Sequence, residues 1–118
     1  MIISRTPLRI SFAGGGSDIP SFYNEYGGSV VSTSINKYVY VSINKSFNEQ
    51  STLVRYSEVE KVNNIAKISH PIVREVLRMY ETNGVEVTSI SDIPSGTGMG
   101  SSSSFTVGLI NAISSLNK

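Results

Sequence analysis

The sequence contains no cysteine and only one histidine, His70. The absence of thiols excludes disulfides and thiolate metal sites, and a single histidine cannot form a histidine cluster. No apolar run approaches the roughly 18 residues that a membrane-spanning helix needs. The N-terminal stretch also lacks the long apolar region of a signal peptide. We therefore expect a soluble, cytoplasmic protein with no membrane partner.

Charged residues are also scarce. They make up 16% of the 118 residues, against 39% hydrophobic residues, which excludes a highly charged disordered chain. The formal net charge is only +1, and no basic stripe is visible, so a nucleic-acid partner is not expected. The length suits one domain with one modest core.

Hydrophobic periodicity predicts an α+β fold. Short strands are expected at 2–5, 10–12, 52–56 and 85–90, and one long bent strand or a hairpin at 29–45. Helices are expected at 21–26, at 71–82 and after the glycine-rich stretch described next, whereas residues 57–68 fit no single pattern. Pro7 marks an edge, a bulge or a turn. Ser17 or Asp18 is a candidate cap for the first helix, and Ser69 or His70 for the second.

Residues 93–105, IPSGTGMGSSSSF, lie between a strand pattern and a strong helix pattern. The first N–H groups of a helix lack intrahelical partners and favour an anion, and glycines let the backbone approach it closely. This arrangement predicts a phosphate loop rather than a linker. The alternative is a serine-capped helix after a glycine turn. The spacing fits neither the G-x-x-x-x-G-K-[ST] loop nor the complete G-x-G-x-x-G dinucleotide motif.

The segment 94–103 resembles the second motif of the GHMP kinases, P-x-x-x-G-L-G-S-S-A, with Met99 for leucine and Ser103 for alanine. In that family the loop wraps the phosphates of ATP. The resemblance implies that Ser102 ligates Mg²⁺. It also implies a set of ATP phosphate-binding residues, namely Pro94, Gly96, Thr97, Gly98, Met99, Gly100, Ser101, Ser102 and Ser103.

Residues 6–18, TPLRISFAGGGSD, resemble the first motif of the same family. Arg9 and Asp18 stand at its arginine and aspartate, while Gly15 and Gly16 replace the glutamate and histidine of galactokinase. This form is most similar to the bacterial D-glycero-D-manno-heptose 7-phosphate kinase subgroup, whose product would serve surface polysaccharide biosynthesis. The resemblance implies an ATP-dependent sugar or sugar-phosphate kinase in which Asp18, Gly15 and Gly16 contact the substrate.

Several of these residues have structural alternatives. Arg9 is a candidate catalytic residue, or else a strand arginine in an ion pair. Asp18 is a sugar ligand, a helix cap, or both. Lys37 could contact a substrate phosphate or the nucleotide, or be an exposed strand lysine. Asp92 is expected to be a turn residue beside the loop, and His70 a helix-start residue.

The resemblance implies that residues 1–118 form an incomplete GHMP kinase N-terminal, ATP-binding domain, with a mostly antiparallel sheet packed by helices. In the family, the catalytic aspartate and the magnesium-binding glutamate lie downstream of the second motif. We therefore expect a fragment that is inactive without the C-terminal part of the same kinase, and whose apolar helix residues Phe105, Leu109 and Ile113 lack part of their cover. A homo-oligomer is compatible with the sequence. The alternatives are a kinase of an unphosphorylated sugar, such as galactose or fucose, and an RNA-binding module of similar fold.

Overall fold

The computed structural model describes residues 1–48 and 50–118. The strands are β1 (Ile2–Ala13), β2 (Val31–Lys45), β3 (Thr52–Arg55), β4 (Val59–Val62) and β5 (Val85–Ser91). The helices are α1 (Pro20–Tyr26), α2 (Pro71–Met79) and α3 (Ser101–Leu116), with a 3-10 turn at Ile65–Lys67. The predicted α+β class is confirmed. Within the described ranges, no helix is both long and apolar enough to cross a membrane.

The five strands form one sheet in the order β1-β2-β5-β3-β4. Every neighbouring pair is antiparallel except β3 and β5. The chain makes the parallel β3–β5 connection through β4 and α2, because parallel neighbours need a long crossover. The predicted mostly antiparallel sheet is therefore confirmed, and the phosphate-loop candidate lies between β5 and α3.

The first sheet edge differs only in part from the sequence prediction. Residues 2–13 form one strand rather than two short ones, whereas residues 31–45 form the long strand that was one of the two predicted alternatives. Pro7 pairs with Tyr38 and Arg9 pairs with Ser34. The step of two residues along β1 therefore corresponds to four residues along β2, so β2 bulges at this point. Pro7 cannot donate to the ladder, and a bulge on an edge pair accommodates it without ending the strand.

The hydrophobic core lies on one face of the sheet, under α2 and α3. We predicted that the apolar residues of α3 lack part of their cover, and this is wrong. Phe105 is 8% exposed, and Leu109 and Ile113 are 0% exposed. The α3 helix contacts β1, β2 and α2, which together bury its apolar stripe.

The helix ends show which predicted caps form. The cap of α2 is His70, whose Nδ1 accepts a hydrogen bond from the Val73 N–H at 3.4 Å. The helix ends at Met79, before residue 82, because Glu81 adopts a left-handed φ of 48°. The predicted cap of α1 is wrong: its N-cap is Ile19, with no side-chain cap bond. The hydroxyl of Ser17 instead bonds the backbone of Gly14 and Ser29.

Candidate functional site

The glycine-rich stretch leaves β5 through a well-anchored turn. The Asp92 N–H donates to the Tyr38 carbonyl at 3.0 Å, and Asp92 Oδ2 accepts from the Tyr38 N–H at 2.9 Å. The Ser91 hydroxyl donates to the Ile93 carbonyl at 2.7 Å. Asp92 is therefore the turn residue that the sequence predicts, and its carboxylate is engaged by the sheet.

Three glycines shape the loop itself. Gly96, Gly98 and Gly100 have φ values of 82°, 73° and 72°, in the left-handed region that glycine adopts without steric cost. A Cβ placed on Gly96 or Gly98 would meet no atom within 4 Å, so this side of the loop is open. Gly100 is the N-cap of α3, without a side-chain cap bond. The serine-capped alternative is therefore wrong, and the hydroxyls of the serine run do not cap the helix.

Arg9 lies directly against this loop. The backbone N–H of Arg9 donates to the Met99 carbonyl at 3.1 Å. A Cβ on Gly100 would lie 3.1 Å from both Cγ and Nε of the Arg9 side chain. The guanidinium donates through Nη1 to the Ser11 hydroxyl at 2.6 Å. Within residues 1–48 and 50–118, no carboxylate forms an ion pair with Arg9. The predicted structural ion pair is thus not found there, and the loop has a cationic neighbour.

A cavity of about 470 Å³ opens beside the loop, between the first turns of α2 and α3. Its apolar walls come from the sheet, the two helices and Ile93 in the turn that follows β5. Hydroxyls and one imidazole supply its polar groups, and Pro94, Ser95, Ser101 and Ser102 connect it to the loop. The other lining residues are Val39, Tyr56, Ser57, His70, Ile72, Ser89, Ser91, Ile93 and Phe105. A planar, mostly apolar group attached to a phosphate chain fits this combination.

A carboxylate that the sequence analysis missed organises one end of this cavity. Glu60 accepts hydrogen bonds from the Ser69 N–H at 2.6 Å, the His70 N–H at 3.2 Å and the Tyr56 hydroxyl at 2.9 Å. Burial favours a higher pKa for Glu60, but the bonds from Ser69, Tyr56 and His70 outweigh it and lower that pKa. The hydrogen bond to Glu60 is the main cause that raises the pKa of Tyr56 to about 12. The ambiguous pattern of residues 57–68 gave no signal for this cluster.

The lowered pKa of Glu60 predicts a loss of stability in acid. A glutamate whose folded-state pKa lies below the ordinary 4.5 stabilises the fold fully above that value. That contribution disappears as the pH falls through the lower folded-state pKa, because protonation weakens the bonds to the α2 N-terminus. We expect Glu60→Gln to flatten the decline of the urea midpoint as the pH falls below 4.5. Glu81→Gln, at an exposed glutamate, is the control, and an unchanged acid slope in Glu60→Gln would contradict the assignment.

Asp18 lies in a different place from the loop. It lines a second cavity of about 450 Å³ with Ser17, Tyr23, Gly28, Ser29 and Val30. Gly15 and Gly16 are exposed in the turn before α1 and line neither cavity. Lys37 is exposed in the bulged part of β2 and also lines neither. Arg9 thus contacts the loop, whereas Asp18 lines the second cavity.

Comparisons to known proteins bear on the family and the fold of this chain. Residues 63–118 match the model of the GHMP kinases N terminal domain. The chain is 28% identical to the D-glycero-alpha-D-manno-heptose 7-phosphate kinase of Campylobacter jejuni, over 94% of this chain and 36% of that protein. The fold also matches solved structures, and the resemblance to the GHMP kinases is confirmed.

Two solved structures illustrate the match in fold. A D-glycero-D-manno-heptose 1-phosphate kinase from Bacteroides thetaiotaomicron superposes with a TM-score of 0.79 and 25% identity, over 95% of this chain and 40% of that one. The mevalonate kinase of Methanococcus jannaschii gives 0.75 and 21%, over 99% of this chain and 40% of that one. The chain therefore spans less than half the length of the relatives that it matches.

Proposed function

We propose, from the confirmed resemblance to the GHMP kinases, that this chain is the ATP-binding part of a kinase for a sugar or sugar phosphate. The observation that carries the proposal is the loop of left-handed glycines that precedes α3, with Arg9 packed against it. Backbone N–H groups at a helix start and a neighbouring guanidinium are the groups that bind phosphate oxygens. The reaction would transfer the γ-phosphoryl group of ATP to a sugar hydroxyl.

The residues present fit ATP and Mg²⁺. The loop from Gly96 to Ser103, entered through Pro94, has open space beside Gly96 and Gly98, where its backbone N–H groups would meet phosphate oxygens, and the Ser102 side chain is exposed at the start of α3. A hydroxyl together with phosphate oxygens suits Mg²⁺, which commonly keeps most of its ligands from water and substrate. When bound, the ion would neutralise phosphate charge. Arg9 would add a fixed positive charge, which matters because phosphoryl transfer depends mainly on positioning and electrostatic stabilisation.

For the acceptor substrate we propose D-glycero-D-manno-heptose 7-phosphate. The Campylobacter relative is named for this sugar, whereas the Bacteroides protein is named for the 1-phosphate of the same heptose, so the support is for a heptose phosphate. Asp18 would accept hydrogen bonds from sugar hydroxyls in the second cavity, next to the turn that holds Gly15 and Gly16. Lys37 would contact the substrate phosphate. No observation favours an unphosphorylated sugar or RNA as the ligand.

The transfer itself would require more than this chain. We propose that the catalytic aspartate and the carboxylate that completes the magnesium site belong to a C-terminal part of the same cytoplasmic kinase. The chain alone would then bind ATP without phosphorylating a heptose phosphate. Turnover of ATP that depends on heptose phosphate, in the 118-residue chain, would contradict this.

Removal of the Ser102 hydroxyl tests the proposal. We expect the affinity of the chain for ATP to rise when Mg²⁺ is added. In Ser102→Ala, the factor by which Mg²⁺ increases this affinity should be about tenfold smaller, the scale of one lost contact to a charged group. Isothermal titration with and without Mg²⁺ measures both values. Ser115→Ala makes the same chemical change at an exposed site near the other end of α3 and should leave the gain intact. Equal behaviour of the two variants would remove Ser102 from the site.

A further inference from the structure

We propose that His70 selects the nucleobase, by donating a hydrogen bond from its Nε2–H to a ring nitrogen of a purine in the 470 Å³ cavity. This inference rests on the proposed function, because it assumes that the loop holds the phosphates of a nucleotide. It assigns to His70 a role beyond that of a helix-start residue.

The hydrogen bonds of the ring define which nitrogen can donate. Nδ1 accepts from the Val73 N–H, so it carries no proton of its own. A neutral imidazole then has its proton on Nε2, which makes Nε2 a donor. Nε2 has no hydrogen-bond partner within the described ranges. Every buried polar side-chain atom there does have a partner, so Nε2 is not buried. Nε2 is therefore accessible, and the cavity that His70 lines is where a ligand could accept its proton.

Neighbouring groups fix the position of the imidazole. Its ring meets Tyr56 edge to face at a centroid distance of 4.8 Å and lies 5.3 Å from the centroid of Phe105. Glu60 accepts from the His70 N–H and, with the same oxygen, from the Tyr56 hydroxyl. A donor held by its backbone and by two aromatic contacts loses little rotamer freedom on binding, so it can distinguish one ring atom from another.

The cavity has the shape and chemistry for the base of a nucleotide whose phosphates lie on the loop. Ser101 and Ser102 belong both to the first turn of α3 and to the cavity wall, so the phosphate site and the cavity are contiguous. Val39, Ile72 and Phe105 contribute apolar surface against which a planar ring could pack, and the lining also contains hydroxyl groups. A base here would have few charged groups near it, since the lining contains no carboxylate and no ammonium group.

Two substitutions separate recognition from helix capping. An asparagine amide can replace Nδ1 as the cap of α2, but it is too short to replace Nε2. A glutamine amide reaches the position of Nε2, but it does not cap the helix. We expect His70→Asn to keep the α2 cap, to lose only the stability of the two aromatic contacts, and to bind ATP about three- to tenfold more weakly, the scale of one lost hydrogen bond. His70→Gln loses the cap as well, so it should be less stable than His70→Asn yet keep most of its ATP affinity. The reverse pattern would overturn the proposal.

Ligands that lack parts of ATP complete the test. We expect one of 1-deaza-, 3-deaza- and 7-deaza-ATP to bind wild-type protein about three- to tenfold more weakly than ATP, and to lose nothing relative to ATP in His70→Asn. Inorganic tripolyphosphate should bind wild type and both variants equally. If ATP binds and all three deaza analogues match it, the role of His70 is refuted while the proposed function stands. If wild-type protein binds neither ATP nor tripolyphosphate, the proposed function fails, and the inference fails with it.

Discussion

Gly98→Val is expected to weaken ATP binding by at least tenfold, or about 1.4 kcal/mol. Gly98 lies at the centre of the loop with a φ of 73°, and a side chain there would meet no protein atom within 4 Å. The added side chain would therefore project from the open side of the loop, where phosphate oxygens would approach the backbone N–H groups. A branched side chain would keep them apart.

The strain of a non-glycine residue at positive φ must be separated from this effect. Gly27 has a φ of 74°, and a Cβ there would also meet nothing within 4 Å. It ends α1, away from the loop, and lines neither cavity. Gly27→Val is thus matched in the positive φ and in free space. Both variants should lose about 1–3 kcal/mol of stability, the cost of holding a non-glycine residue in a sparsely populated backbone conformation.

Titration calorimetry with ATP and urea unfolding measure the two quantities on the same samples. Gly98→Val should lose both affinity and stability, whereas Gly27→Val should lose stability alone. ATP affinity unchanged in Gly98→Val would refute the phosphate-loop assignment. An equal loss of affinity in both variants would attribute the effect to the fold rather than to the loop.

The sequence predicted the elements whose local signals are strong. The α2 stripe of Val73, Val76 and Leu77 is buried as its period indicates, and Pro71 begins the helix. The loop was found because glycine spacing, a preceding strand and a following helix are all adjacent in sequence. The contact of the loop with Arg9 was not predicted, and the structure shows it as a hydrogen bond from the Arg9 backbone N–H to the Met99 carbonyl.

Other features depend on contacts between distant residues and had no local signal. Glu60 and His70 are brought together because β4 and the start of α2 meet at one end of the cavity. The prediction that Phe105 and Leu109 lack cover followed from the family elements expected downstream, but contacts of α3 with β1, β2 and α2 already bury both side chains. The cap of α1 was misassigned because Ser17 is a favourable cap residue whose hydroxyl instead bonds the backbone of Gly14 and Ser29.

The second large effect is expected at Gly108, where α3 packs most closely on β1. The Ser4 hydroxyl donates to the Gly108 carbonyl at 2.8 Å, and the Ser104 hydroxyl donates to the Pro7 carbonyl at 2.9 Å. A Cβ on Gly108 would lie 2.8 Å from Thr6 Oγ1 and 3.0 Å from Ser4 Oγ. We expect Gly108→Val to lower the free energy of unfolding by about 3 kcal/mol, at the upper end of overpacking effects.

The sign of the change in the free energy of unfolding shows whether the contact of Gly108 with β1 is tight. In an unobstructed helix, Gly→Ala stabilises by about 1 kcal/mol, so a net loss in Gly108→Ala identifies the contact with β1 as its cause. Thr6→Ala removes one of the two oxygens that the added Cβ would meet. The double variant Gly108→Ala with Thr6→Ala should therefore lose less stability than the sum of the two single variants.

Val107→Ala, at a neighbour that is 58% exposed, should stay within about 0.5 kcal/mol of wild type in urea unfolding. A Gly108→Val chain as stable as wild type would mean that α3 can move away from β1, and the loop that precedes α3 would then lack the rigid support that phosphate binding requires.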